Sequence, residues 1–284
     1  MKTDKPSPKQ EKEMVEHCST EPVALITGAG TGVGAACAKR MATRGFNVVV
    51  NFRSSANEAE AVVRQCQSVG VGALAIQGDV ERDHDCRAIV EAARHQWGRV
   101  DTLINSAGLT QFTDFPDLEG QNAEDFYRIY GVNVIGAYQM ARAAAPLLKR
   151  GGIGAVVNIS SIAGMTGNGS SIAYVTSKGA LNTLTKSLAR LLAPEVRVNA
   201  ILPGLIDSGW FLNVMGEEDY TRIKDAFAAS SALGEVCSPD DIAQVAEFLA
   251  VDATRITGQL IPVDAGALLG AGSVSVSRSL KGHA

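Results

Sequence analysis

Short apolar runs alternate with stretches of helical periodicity along most of the chain. Val23-Ala-Leu-Ile-Thr27, Asn47-Val-Val-Val-Asn51, Ala73-Leu-Ala-Ile-Gln77, Val100-Asp-Thr-Leu-Ile104, Ala155-Val-Val-Asn-Ile159, Val196 to Leu202 and Leu260-Ile-Pro-Val263 read as strands. Near-continuous apolar runs of this length suit parallel strands covered on both faces. Helical patterns lie between them: from Gly34 through Arg44, over 57–69, 83–97 and 123–149, from Tyr174 to about Leu192, and over 239–250. Pro239 fits the first turn of the last of these. Strands and helices in strict alternation, with no linker composition between them, predict one doubly wound α/β domain over residues 22–272. Residues 1–21 mix lysines, acids and two prolines and read as a mobile N-terminal extension; residues 273–284 read as a C-terminal tail.

Composition narrows the class. The 284 residues are 46% hydrophobic and 20% charged, with 29 glycines, which suits many tight strand-to-helix turns. A net charge of −4, with basic residues scattered, argues against a nucleic-acid partner. Cys18, Cys37, Cys66, Cys86 and Cys237 are odd in number and widely spaced, and the four histidines are dispersed, so no metal site is expected. The first twenty residues lack the apolar core of a signal peptide. No apolar run reaches the ~18–20 residues that span a bilayer, and the expected compartment is the cytoplasm.

Candidate chemistry gathers at the predicted strand ends. Gly28-Ala-Gly-Thr31-Gly32-Val33-Gly34 joins the first strand to a helix. Glycine lets backbone approach a pyrophosphate closely, and the first-turn N–H groups point at it, so dinucleotide binding is favoured over a plain tight turn. The second strand ends at Asn51-Phe52-Arg53-Ser54-Ser55, with no acid before Glu58 to bond a ribose 2′-hydroxyl. Arg53 and Ser54 are suited instead to a 2′-phosphate, which favours NADP(H) over NAD(H); the bland alternative is a solvated loop arginine. Asp79 and Val80 either border the adenine or form a turn. Small residues in Asn105-Ser106-Ala107-Gly108 let a flat cofactor lie against the backbone, while Asn105 can tie neighbouring strands together. Asn133, inside a helical pattern, suggests a polar task.

The stretch from Ser161 to Lys178 carries the reacting groups. Tyr174 and Lys178 are four apart, so on a helix they share a face with Cβ atoms about 5–6 Å apart. A phenol titrates near 10, and bringing it toward neutrality takes roughly 4 kcal/mol. An ammonium about 4 Å away supplies that order of energy at an effective dielectric of about 20. Lys178 is therefore expected to lower the Tyr174 pKa. Taken alone, the pair is more commonly an ordinary surface couple with a snorkelling lysine.

The ordered set changes that balance. Thr27-Gly-Ala-Gly-Thr-Gly-Val-Gly34, Asp79-Val80, Asn105-Ser-Ala-Gly108, Asn133, Ser161 thirteen residues before Tyr174, Lys178 and Pro203-Gly204 together resemble the short-chain dehydrogenase/reductase family, in particular its 3-oxoacyl-carrier-protein reductases. The likeness covers Pro22 to Gly266. It implies a parallel seven-stranded sheet in the order 3-2-1-4-5-6-7 and hydride transfer between NADP(H) and a carbonyl or secondary alcohol. Tyr174 is then the acid/base, Ser161 a hydrogen-bond donor to the substrate oxygen, and Lys178 a contact to the nicotinamide ribose. Asn133 holds a relay water, and Pro203, Gly204, Ile206 and Ser208 border the nicotinamide. Residues 206–231, with Trp210, Phe211, Leu212, Val214, Met215 and Tyr220, resemble the family's substrate lid. The resemblance further implies a homotetramer. Asn105-Ser106 stands for the commoner Asn-Asn, and Ala193-Pro-Glu-Val is a shortened helix-to-strand turn. The substrate stays open between 3-oxoacyl groups, small ketones, sugars and steroid-like alcohols. A non-catalytic dinucleotide sensor is the rival class; such proteins typically lack the tyrosine or lysine that this chain has.

Overall fold

A computed structural model of the protein describes residues 19–113, 117–150, 152, 154–209 and 216–270. Its elements in chain order are β1 (Val23–Thr27), α1 (Gly32–Thr43), β2 (Asn47–Phe52), α2 (Ala56–Ser68), β3 (Ala73–Gln77), α3 (Asp83–Trp97), β4 (Thr102–Asn105) and α4 (Ala123–Tyr130). A π-helical turn (Gly131–Gly136) leads into α5 (Ala137–Leu148), then β5 (Gly154–Ile159), α6 (Ala163–Thr166), α7 (Ile172–Leu192), β6 (Val196–Pro203), α8 (Glu217–Ser230) and α9 (Pro239–Glu247). A second π-helical turn (Phe248–Asp252) precedes β7 (Leu260–Val263).

All seven strands pair in parallel, in the order β3-β2-β1-β4-β5-β6-β7. The two-residue period of a strand divides the apolar side chains between two cores. Ala24, Ile26, Val48, Val50 and Val157 face α1, α2 and α9. Val23, Leu25, Val49 and Val156 face α3, α5 and α7. Helices thus cover both faces, which is why these strands show no polar alternation.

Two elements differ from the sequence reading in a way that matters. The 123–149 stretch is helical throughout but passes through the π turn at Asn133, and the 239–250 stretch leaves α-helical geometry at Phe248. The compressed connection after α7 holds: α7 ends at Leu192 and β6 begins at Val196, with a cis peptide between Ala193 and Pro194.

The C-terminal strand edge, where ligands sit in such sheets, is tied across by buried polar groups. The Thr27 hydroxyl accepts from both Ser106 N and Ala107 N at 3.1 Å, fastening β1 to the loop after β4. Asn105 Nδ2 donates to Asn158 Oδ1 (2.9 Å), and Asn158 Nδ2 donates to Thr185 Oγ1 on α7 (2.9 Å). Asn51 Nδ2 donates to the carbonyl oxygens of Ile76 (3.2 Å) and Gly78 (3.1 Å), closing β2 onto the exit of β3.

Candidate active site

A cradle opens at the junction of β1 and β4. Gly28 has φ +60°, and a Cβ there would come within 2.8 Å of Ala107 Cα, so the glycine loop and the Asn105–Gly108 loop lie backbone against backbone. Gly34 packs equally closely, its hypothetical Cβ 2.3 Å from the Gly28 carbonyl oxygen, which seats the first turn of α1 on the strand exit. Gly32 (φ +54°) faces open space instead. Thr31 is the N-cap of α1 and makes no side-chain cap bond, so the first-turn N–H groups of a twelve-residue helix point into that space. An open, glycine-lined helix N-terminus at a topological switch point fits a pyrophosphate. Val33 packs partly on the α1 side of the core.

At the end of β2, Arg53 and Ser54 are exposed, and Gln77 Nε2 donates to the Arg53 carbonyl (3.0 Å), fixing the loop that carries them. Asn51 turns its amide inward. No carboxylate ends this strand. Asp79 is half-buried; its Oδ1 accepts from Glu81 N (3.1 Å), so it shapes the turn at the β3 exit, and the adjacent Val80 is buried.

The Tyr174 cluster assembles from four elements. Ser171 caps α7 by accepting from Tyr174 N (3.3 Å), which places Tyr174 in the first helical turn. The loop after β5 carries Ser161, whose hydroxyl accepts from Ala163 N (3.1 Å) and stands close enough to Tyr174 to draw its pKa down. Ile162 N donates to the Pro203 carbonyl (3.0 Å), so that loop rests on the end of β6. Lys178 is 4% exposed; its Nζ donates to the Ile159 carbonyl (2.9 Å) and lies 5.5 Å from the centre of the Tyr174 ring. Asn133 Oδ1 accepts from Leu109 N (2.8 Å), while its Nδ2 donates to Leu109 O (2.9 Å) and Ser177 Oγ (2.9 Å). Gly108 leaves a gap between this amide and the lysine: a Cβ there would stand 3.8 Å from Asn133 Oδ1 and 3.9 Å from Lys178 Nζ.

The electrostatics correct one expectation. Lys178 does not lower the Tyr174 pKa in this arrangement. Burial pushes that phenol up to about 12, and Ser161 pulls the other way. Burial also pushes Lys178 down to about 8. Spacing on a helix fixed the neighbourhood of the two side chains; the ammonium is committed to the Ile159 carbonyl, and desolvation governs both groups.

Sequence reasoning missed several supports. Ser177 Oγ accepts from Asn133 and donates to the Tyr174 carbonyl (2.7 Å), a contact its i+3 spacing from Tyr174 could have suggested. Gln121 Oε1 accepts from Ala173 N (3.0 Å) across 52 residues, and no local signal marks it. Ser160 Oγ donates to Asn182 Oδ1 (2.6 Å) beneath the cluster. On the lid side, Gly204 packs against Asp264 and Phe227, Ile206 pairs with Cys237, and Ser208 N donates to Ile206 O (2.8 Å). Trp210, Phe211, Leu212, Val214 and Met215 lie outside the described residues, as does Cys18. Cys37, Cys66, Cys86 and Cys237 are buried free thiols. Among the described residues no cluster of His, Cys, Asp or Glu is placed to hold a metal, and no helix is long and apolar enough to cross a membrane.

Comparison with known proteins agrees with this geometry. A family model described as enoyl-(acyl carrier protein) reductase matches residues 28–267. A solved structure from Burkholderia xenovorans, described as a short-chain dehydrogenase/reductase, superposes with a TM-score of 0.83 at 42% identity, covering 89% of this chain and 100% of that one. The chain therefore belongs to the short-chain dehydrogenase/reductase family, and it is an oxidoreductase that uses a nicotinamide dinucleotide and acts between C=O and CH–OH. It is similar to a protein assigned as ketoacyl reductase 2 of the granaticin polyketide synthase of Streptomyces violaceoruber, at 40% identity over 248 residues (87% of this chain, 96% of the relative). It also resembles the 3-oxoacyl-(acyl-carrier-protein) reductase FabG of Staphylococcus aureus, at 35% identity over 245 residues (86% and 96%).

Proposed function

We propose that this protein is an NADPH-dependent carbonyl reductase whose proton donor is Tyr174 and whose substrate is a 3-oxoacyl thioester. The observation that carries the reading is the gathering of the Ser161 and Tyr174 hydroxyls at the sheet's C-terminal edge, with the buried Lys178 beside the ring. Two neighbouring hydroxyls can both donate to one substrate oxygen. When bound, the dinucleotide supplies the hydride. Tyr174 Oη gives its proton to the oxygen that gains charge, and Ser161 Oγ donates a hydrogen bond to the same atom. A Tyr174 pKa near 12 keeps the phenol protonated at neutral pH, the form a proton donor needs. Lys178, near 8, stays largely charged there and is assigned to the nicotinamide ribose. Asn133, flanking the gap over Gly108, is assigned to a water that returns protons through Lys178; the second lone pair of its Oδ1 is the acceptor for that water.

The cradle of Gly28, Thr31, Gly32, Val33 and Gly34 is assigned to the pyrophosphate. Asp79 and Val80 border the adenine, and Asn105, Ala107, Gly108, Pro203, Gly204, Ile206 and Ser208 the nicotinamide half. Arg53 and Ser54 support NADP(H): both stand exposed where a 2′-phosphate would lie, and Asn51 faces two carbonyl oxygens that a carboxylate could not. The oxoacyl substrate is supported by the activities assigned to relatives at 35–40% identity. We assign residues 22–272 to a single catalytic domain working in the cytoplasm as a homotetramer. Tyr127 (68% exposed), Ile135 (50%) and Tyr138 (40%) give the α4–α5 rod an uncovered apolar stripe for that assembly.

Steady-state NADPH oxidation against a panel of 3-oxoacyl thioesters, small ketones, sugars and steroid ketones tests the reading. Wild type should favour the thioesters, and Tyr174→Phe should bind NADPH yet lose turnover by about three orders of magnitude or more. Substantial activity in that variant removes Tyr174 from the mechanism. NADPH binding with no turnover of any carbonyl in wild type favours the sensor. Arg53→Ala should erode kcat/KM with NADPH and leave NADH little changed; a wild-type preference for NADH overturns the cofactor assignment.

A further inference from the structure

The segment leaving β6 is held from two sides. Its backbone is pinned first: Cys237 N donates to Leu205 O (3.2 Å), Asp207 N donates to Cys237 O (2.7 Å), and Ile206 pairs with Cys237 in a parallel bridge. The side chain of Asp207 then receives two donors from one face of α8. Tyr220 Oη donates to Oδ1 at 2.6 Å, and Lys224 Nζ donates to Oδ2. These residues are four apart, so they share a face of the helix. Tyr220 is the buried residue of α8, whose remaining positions are largely open to solvent. Two turns on from Tyr220, Phe227 Cζ approaches within 3.0 Å of where a Gly204 Cβ would stand. The helix is therefore fastened to residues 204–207, the stretch that carries Ile206 and leads into Ser208.

We propose that Asp207 is a positioning residue: through Tyr220 and Lys224 it fixes the Ile206–Ser208 segment against the nicotinamide end of the cofactor, so that α8 and cofactor seating are mechanically one unit. The proposal rests on the NADP(H) reading above. Asp207 itself is exposed on its outer side and its carboxylate is bonded to Tyr220 and Lys224, so it acts through the segment it belongs to. Lys224 first and Tyr220 second hold its carboxyl below the usual carboxylate range, so it accepts both donors as an anion at neutral pH. Asparagine in its place offers one carbonyl oxygen where two carboxylate oxygens were bonded, which releases one of the two ties.

The experiment separates the two ends of the ligand. NADPH affinity is measured by fluorescence titration, and adenosine 2′,5′-bisphosphate, which has no nicotinamide, by calorimetry. Asp207→Asn should bind NADPH about tenfold more weakly and the bisphosphate within about twofold of wild type. Lys224→Met and Tyr220→Phe should each show part of that loss, and Asp207→Asn with Lys224→Met should be no worse than Asp207→Asn alone. Equal weakening of both ligands, or NADPH affinity within about twofold of wild type, overturns the proposal. Lys224 is partly exposed, so its variant decides the matter even where Asp207→Asn folds poorly. A wild type that ignores the bisphosphate but binds NADH overturns the NADP reading alone; the same comparison, between NADH and ADP-ribose, then decides Asp207.

Discussion

Burial sets the charge state of both ends of the Tyr174–Lys178 pair, and this has a measurable cost. Lys178 holds its proton more weakly in the fold, near 8, than its ordinary value of 10.5. Below about pH 8 the folded state carries the whole penalty of an enclosed ammonium. Between about 8 and 10.5 the unfolded chain retains more protons than the folded one, so stability rises with pH across that window. Wild type should gain on Lys178→Met, which has no such proton, by up to about 3 kcal/mol over that range. The raised Tyr174 value acts in the opposite direction only above about pH 10, and equally in both proteins. Urea unfolding of the two at about pH 7.5 and about pH 10 measures the change. A gap that stays constant shows that the lysine titrates as it does in water.

The α4–α5 rod with its π turn joins the loop after β4 to the helix that carries Tyr174. Asn133 sits in that turn, and one extra residue per turn lets its amide bracket the backbone of Leu109 while still reaching Ser177. Gly131 and Gly136 bound the turn for different reasons. A Cβ at 131 would meet the end of the Glu81 side chain, which can swing away. At 136 it would meet Val80 Cγ2 at 2.7 Å and the Val80 carbonyl at 3.1 Å, which cannot. Gly136→Ala should therefore destabilise by about 1–3 kcal/mol and Gly131→Ala by clearly less. Thermal unfolding of both variants checks this, and equal losses would contradict the contact.

The rod also shows what a sequence can and cannot display. Strand positions were readable because a strand covered on both faces is mostly apolar, and β1, β2 and β5 are buried at every position with Thr27, Asn47, Asn51 and Asn158 the polar exceptions. The cradle was legible as a glycine turn between a strand and a helix, whereas the Ser161–Tyr174–Lys178 set was legible only through the ordered resemblance to the family, since its spacing alone favours a surface pair. The π turn was not, since propensity does not distinguish one helical hand-up from the next. Nor was the direction of the Tyr174 shift, because spacing locates a neighbour while desolvation depends on everything packed around it. Gln121 and Asp207 act across turns and loops whose closure only the folded chain defines.

At the scale of the whole molecule, the uncovered stripe of Tyr127, Ile135 and Tyr138 is the feature that solution behaviour must answer for. Sedimentation equilibrium should return a four-chain mass, and Tyr127→Glu with Tyr138→Glu should reduce it. A monomeric wild type would leave the stripe without its assigned cover and remove the assembly from the proposal.

The buried ties at the strand ends have one more consequence. Thr27, Asn51, Asn105 and Asn158 tie the exits of β1 to β5, with no charged group among them, so neither salt nor mild acid has a handle on the seam. A bench fixed in this way lets the pieces mounted on it be swapped freely. New substrates can be sought by rewriting the segments above the sheet while the place of hydride handover stays put.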